Sequence, residues 1–314
     1  MKIQTKKINL NHSFVFFLLI NIFSLLFMKI DNSNISPVVC LSLILIIGVS
    51  HGALDHEKGK KLLQSLKIYN MFAFYFSYTI FAIIIVIFWI LFPTATLIVF
   101  LIIASFHFGK EDTEFLIDEN SYINQFLFFL KGSLIILAPL FFHFNETVSI
   151  FRLLLIENEA FYSSLSIIEE NNLLHIGIII STISSILLFV KKFELKKFAI
   201  FLDYFSIIII NYYFTPLIAF TIYFCFLHSV RHSISLIFEL NQENLFQGFL
   251  IFIKKALPLT TLTTIICLVG LFFLNNNYDF NSAILKMIFI GLASLTFPHI
   301  LLEYLLEKNE KQRN

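Results

Sequence analysis

The sequence predicts an all-α fold: a polytopic transmembrane helical bundle of about ten spans (8–10), with residues 1–314 forming a single integral membrane domain and both termini cytoplasmic. Three observations predict it. Hydrophobic residues make up 58% of the chain, charged residues only 14%, and the mean hydropathy is +0.85. A soluble domain carries roughly a quarter charged residues, so this much apolar surface cannot close into one water-soluble core. Apolar runs of spanning length recur from one end to the other, and the short polar islands between them alternate between lysine-rich and lysine-poor.

Crossing the hydrocarbon takes about 20 apolar residues at about 1.5 Å of rise each. Ten runs qualify: 13–30, 35–54, 69–92, 94–110, 123–143, 173–191, 197–213, 215–238, 250–274 and 282–306. The first follows Lys2, Lys6 and Lys7 and has the look of a signal peptide. No small-residue cleavage site follows it, and the next polar stretch, Asp31 to Asn34, is short, so it is expected to remain as a span. The fourth and seventh runs are short. Pro93 and Pro216 fall between neighbouring runs, where helices readily stop. The longest polar connection, 144–172, contains apolar stretches suited to an interfacial helix. There is no internal repeat.

Lysine and arginine placement orients the bundle. Lys58, Lys60, Lys61, Lys67, Lys110, Lys191, Lys192, Lys196 and Lys197 share a side with both termini, whereas Arg152 is the clear basic residue opposite, with Lys29 and Lys286 close to span ends. Positive residues favour the cytoplasm, so that side is expected to be cytoplasmic and the chain to lie in the cell membrane. The net charge of +1 gives no footing for nucleic acid. Cys40, Cys225 and Cys267 lie inside apolar runs without CxxC spacing, which suggests neither disulfides nor a thiolate zinc site.

On this topology His51, His107, His228, His232 and His299, from four spans, share a depth in the cytoplasmic half of the bilayer. One intramembrane histidine is commonly an interhelical hydrogen-bonding group. Agreement among several points to a shared site, because ionisable groups in a membrane are costly and usually functional. His228 and His232 in FCFLHSVRH sit i, i+4 on one helical face, a spacing that lets two neutral imidazoles bind one ion. Arg231 between them is expected to turn away, towards lipid headgroups or an acid such as Asp203.

In GVSHGALDHEKGKK, Gly48 and Gly52 allow close helix approach, Asp55 is placed to orient His51 through its second nitrogen, and His56 points elsewhere. In SFHFGKED, Glu111 and Asp112 are expected just past the helix end, as supporting acids or solvated loop charges. His12, His143 and His175 are expected at span ends, away from the site. All-histidine ligation suits iron, zinc or copper over magnesium or calcium. The surroundings are rich in Phe and Tyr, which favours a hydrophobic substrate.

The segments GVSHGALDH, SFHFGKED, YFCFLHSVRH and GLASLTFPHILL, in this order from Gly48 to Leu302, together resemble the Brp/Blh family of bacterial and archaeal β-carotene 15,15′-dioxygenases. The resemblance implies Fe(2+) held by His51, His107, His228 and His232. His299, Asp55 and Asp112 fall to the pocket or to support of the ligands. It also implies cleavage of the central 15,15′ double bond of β-carotene by O2 to two all-trans-retinal, in the lipid bilayer, with the retinal passing to a microbial rhodopsin. Other classes remain open on the residues alone. A transporter would use the histidines as a proton relay, and a haem-binding electron-transfer protein would use facing pairs. A di-iron desaturase would need HxxHH clusters, which are absent.

Overall fold

A computed structural model describes residues 2–27, 35–117, 121–191 and 193–313; for 2–4, 51 and 310–313 it describes the backbone alone. The described residues are helices and turns, with no strand. In chain order the helices are α1 (Lys2–Phe27), α2 (Pro37–Leu43), α3 (Asp55–Ser65), α4 (Met71–Leu91), α5 (Pro93–Glu114), α6 (Tyr122–Gly132), α7 (Leu134–Phe142), α8 (Phe144–Leu153), α9 (Glu159–Glu170), α10 (Leu173–Val190), α11 (Ala199–Tyr213), α12 (Pro216–Ile222), α13 (Val230–Leu240), α14 (Leu245–Leu274) and α15 (Phe280–Arg313). The end of the first expected span, the polar stretch after it and Lys192 lie outside the described residues.

Among the described residues, nine helical stretches are long and apolar enough to cross a membrane. They match nine of the ten expected runs. The exception is 197–213, which forms α11 of 15 residues behind a 3₁₀ turn at Leu195–Phe198. At about 1.5 Å per residue it covers about 22 Å, short of the roughly 30 Å hydrocarbon core. The connection 144–172 folds as α8 and α9, not as one interfacial helix, and Asn172 with φ 56° separates α9 from α10.

Local chemistry places the boundaries. Asn70, Ser121, Asn158 and Asn244 accept backbone N–H groups at the starts of α4, α6, α9 and α14. Pro37, Pro93 and Pro216 occupy first helical turns, where a missing N–H is tolerated. Two of the long stretches are irregular in the middle. Between α2 and α3 the chain widens into a π-helical turn at Ile44–Gly48 and tightens into a 3₁₀ turn at Val49–Leu54. Between α12 and α13 it runs through a π-helical turn at Tyr223–Ser229. Such turns often mark functional sites.

The main apolar core lies among α1, α2, α5, α7, α11, α12 and α15, with Ile210, Ala219, Cys225, Leu227 and Ala283 fully enclosed. Helices α5 and α6 meet backbone to backbone. A Cβ added at Gly109 would strike the Phe128 carbonyl, and one at Gly132 the Ser105 carbonyl, so neither position admits a side chain. This contact fixes the part of α5 that carries His107, Glu111 and Asp112.

Candidate metal centre

The site forms where α5, the π-helical turn before α13, α13 itself, α3 and α15 meet. The His107 ring lies 5.4 Å from His228 and 5.5 Å from His299, centre to centre, and His299 lies 5.7 Å from His232. Four of the five histidines that sequence reasoning placed at one depth therefore form a single cluster. His107, His228 and His299 are at most 5% exposed. The His51 side chain lies outside the described residues.

Three of these rings are held through Nδ1 by a carboxylate. Asp112 faces His228 Nδ1 at 3.4 Å, Glu111 faces His232 Nδ1 at 3.0 Å, and both oxygens of Asp55 lie 2.9 Å from His299 Nδ1. A carboxylate on one ring nitrogen fixes the ring and makes the other a better ligand; it is the usual support of metal-bound histidine. The donor chemistry of the cluster thus fits a divalent ion bound by neutral imidazoles.

The supporting acids are themselves anchored. Asp112 accepts a bond from the Tyr223 hydroxyl at 2.6 Å, and the Arg231 guanidinium lies 3.6 Å from it. Arg231 reaches Asp203 at 2.9 Å and donates to Ser13 on α1 at 2.8 Å, so it pairs with the acid the sequence suggested and not with lipid headgroups. Asp55 accepts from the Tyr78 hydroxyl at 2.8 Å.

Asp55 holds His299 on α15; the i, i+4 spacing that paired it with His51 assumes an α-helix, whereas 44–54 is π-helical and then 3₁₀, and the His51 side chain lies outside the described residues. Two expectations need correction. Glu111 and Asp112 are not past a helix end, because α5 continues to Glu114 and buries Asp112 to 3% exposure. Of the two glycines, Gly48 does permit a close approach, its absent Cβ lying 2.5 Å from Phe224, but a Cβ at Gly52 would meet nothing within 4 Å.

Sequence reasoning missed Glu303 and Lys58. Glu303 on α15 lies 3.6 Å from His299 Nε2 and 3.8 Å from His107 Nδ1. Lys58 donates to Glu303 at 2.6 Å and lies 3.2 Å from His232 Nε2, so it belongs to the cluster and not to a solvated loop. The available signal was the repeated H-x3-E spacing, at His107/Glu111 and His299/Glu303, which puts each pair on one helical face. His107, Glu111, His299 and Glu303 each offer a donor atom within 4.8 Å of the others.

The remaining histidines do not join the cluster. His56 Nδ1 bonds the Ala53 carbonyl, His143 Nε2 bonds the Asn211 carbonyl, and His175 packs edge-on against Phe141. His12 Nε2 bonds the Phe226 carbonyl and ties α1 to the π-helical turn. An aromatic wall adjoins the cluster. Phe108 packs 4.7 Å from the His228 ring, Phe224 stacks on the same ring, and Phe220 and Phe289 extend the wall inward.

The sequence profile of a family described as Beta-carotene 15,15'-dioxygenase matches residues 42–307. A protein of that name from Uncultured marine bacterium 66A03 is 28% identical over 263 residues, covering 83% of this chain and 90% of its own length. No solved structure matches the chain.

Proposed function

This chain belongs to the beta-carotene 15,15′-dioxygenase family, and from that premise we propose that it cleaves the central double bond of β-carotene with O2 at an iron(II) centre held by His51, His107, His228 and His232. The family makes it an enzyme with β-carotene as substrate. The observation that supports the centre is the convergence of His107, His228 and His232, with Asp112 and Glu111 on the Nδ1 atoms of the last two.

Iron(II) bound there would supply the activation of O2, and the protein's own groups do the rest. Asp112 and Glu111 keep His228 and His232 in the tautomer that presents Nε2. Tyr223 and Arg231 keep Asp112 in place. Phe108, Phe220 and Phe224 offer a flat apolar surface beside the histidines, suited to a polyene that has no polar handle at its middle. Regiospecificity then comes from where that surface stops the chain of the substrate. Cleavage of this symmetric molecule at its centre gives two retinal molecules, and a microbial rhodopsin is the partner we propose for them. The long apolar helices suit an enzyme that takes a lipid-dissolved substrate, and we place it in the cell membrane.

Metal analysis tests the centre. The purified protein should carry iron without haem, lose activity to a strong chelator and regain it with Fe(II). Full activity in metal-free protein, or stoichiometric haem, would overturn the reading.

A further inference from the structure

Helix α1 precedes residues 42–307, the part of the chain that the family profile matches, and the centre proposed above takes no ligand from it. It docks by one narrow stripe. Asn9, Ser13, Phe16, Ile20 and Ser24, three or four residues apart, are at most 5% exposed, while Phe14, Leu18 and Ile22 between them stay exposed. Phe16 and Ile20 enter the main apolar core. Asn9 and Ser13 make the other end of the stripe polar, and polar groups buried within a bundle of spans are held by partners on neighbouring helices.

Those partners lie beside the metal centre. Two consecutive residues of α1 reach the segment that carries His228, one on each side of it. His12 Nε2 donates to the Phe226 carbonyl at 2.8 Å, two residues before His228. Ser13 Oγ accepts from Arg231 Nη2 at 2.8 Å, three residues after it. Arg231 in turn donates to the Asp112 carbonyl at 3.1 Å and stands 3.6 Å from the Asp112 carboxylate, the group that faces His228 Nδ1. The His228 ring is thus reached through the backbone from one side and through Arg231 and Asp112 from the other.

The backbone contact falls on an unusual piece of chain. Phe226 and His228 belong to the π-helical turn at Tyr223–Ser229. Such turns are rare and occur mostly as single turns inside α-helices. Relaxation to an α-helix would turn the residues beyond it by about 100°, one residue's worth of rotation. His228 and His232 would then no longer face His107 and His299. A side-chain N–H from a separate helix, seated on a carbonyl of the turn, opposes that relaxation.

We propose that α1 clamps the metal centre: His12 and Ser13 are positioning residues that hold the π-helical turn and Arg231, and through them His228, in binding geometry. The inference rests on His228 belonging to the metal site.

The experiment titrates Co(II) into metal-free, full-length protein in detergent. It reads the visible bands, which report ligand geometry, together with the affinity and the thermal stability. His12→Phe keeps a ring and removes the donor. It should shift the bands and weaken Co(II) about tenfold, the low end of the range for groups that support metal ligands. His12→Gln returns an N–H at similar reach and should restore both. Ser13→Ala releases Arg231 Nη2 and should also shift the bands. Ile20→Ala loosens the same helix about two turns away. It should lower thermal stability and leave bands and affinity as in the wild type. Wild-type bands and affinity in both His12→Phe and Ser13→Ala would overturn the inference; if one fails to fold, the other decides. So would a band shift that Ile20→Ala reproduces, because α1 would then act by packing alone. His228→Ala separates this inference from the function proposed above. Loss of Co(II) in His228→Ala, with unmoved bands in the α1 variants, leaves the histidine centre standing and removes the clamp. Unaltered Co(II) binding in His228→Ala removes His228 from the centre, and the clamp with it.

Discussion

Among the described residues of the site, His228 is enclosed by aromatic rings and held by an acid. Its ring is 1% exposed, packed edge-on by Phe108, stacked by Phe224 and held by Asp112. His228→Ala should therefore abolish retinal formation and lower bound iron while folded protein still accumulates, as read by retinal yield and iron content at matched protein levels. Asp112→Asn keeps the shape but weakens the grip on Nδ1, and a change in such a support typically lowers activity about 10–100-fold. His56→Ala should retain near wild-type iron and activity, because His56 turns to the Ala53 carbonyl and Glu57. The histidines were legible in sequence because span length and lysine placement fix depth, and depth alone brought His107, His228, His232 and His299 together. Their acids were less so. Asp55 lies on a different helix from the ring it holds, a pairing no local spacing encodes, and Glu303 sits near the end of a run that reads as an ordinary final span. The H-x3-E repeat could have exposed Glu303 and Glu111 as equivalents.

Helix α5 carries His107 and, one turn on, Glu111 and Asp112, and its contact with α6 is what sets their position. A side chain at Gly132 must push directly into the backbone of α5 at Ser105. Gly132→Val should lower thermal stability in detergent by at least the roughly 1–3 kcal/mol that overpacking usually costs, and reduce the yield of folded protein. Gly52→Ala, with open space around its Cβ position, should accumulate like wild type, which a thermal-shift comparison of the two variants checks. Helix boundaries at Pro37, Pro93 and Pro216 were readable because proline acts locally. The π-helical turns at Ile44–Gly48 and Tyr223–Ser229 were not, since an extra residue in a turn leaves the apolar pattern unchanged while rotating everything beyond it.

At the scale of the whole molecule, the bundle presents, among the described residues, one polar, metal-suited cluster within a largely apolar body. The lysine asymmetry predicts that reporters fused after Asn314 and within 144–172 lie on opposite sides of the membrane, which requires α11 to cross as well as the nine longer stretches; finding them on the same side would leave nine crossings and remove the ten-span order. Within that asymmetry Lys58 marks a site as well as a side, because it pairs with Glu303. Composition and run length sufficed for the all-helical membrane fold. The seventh run came out shorter than a span, because tertiary packing against α1 and α7 accommodates a helix of 15 residues that length alone would not place. The central claim is that this bundle splits β-carotene at its middle using the histidine cluster. Its most direct test is the carotenoid and retinal content of a β-carotene-accumulating host expressing the wild-type chain or His228→Ala at equal protein level. The account predicts β-carotene loss with two retinal molecules formed per β-carotene in the wild type, and intact β-carotene with the variant. Unchanged β-carotene in the wild type, products of off-centre cleavage, or equal retinal from His228→Ala would contradict it.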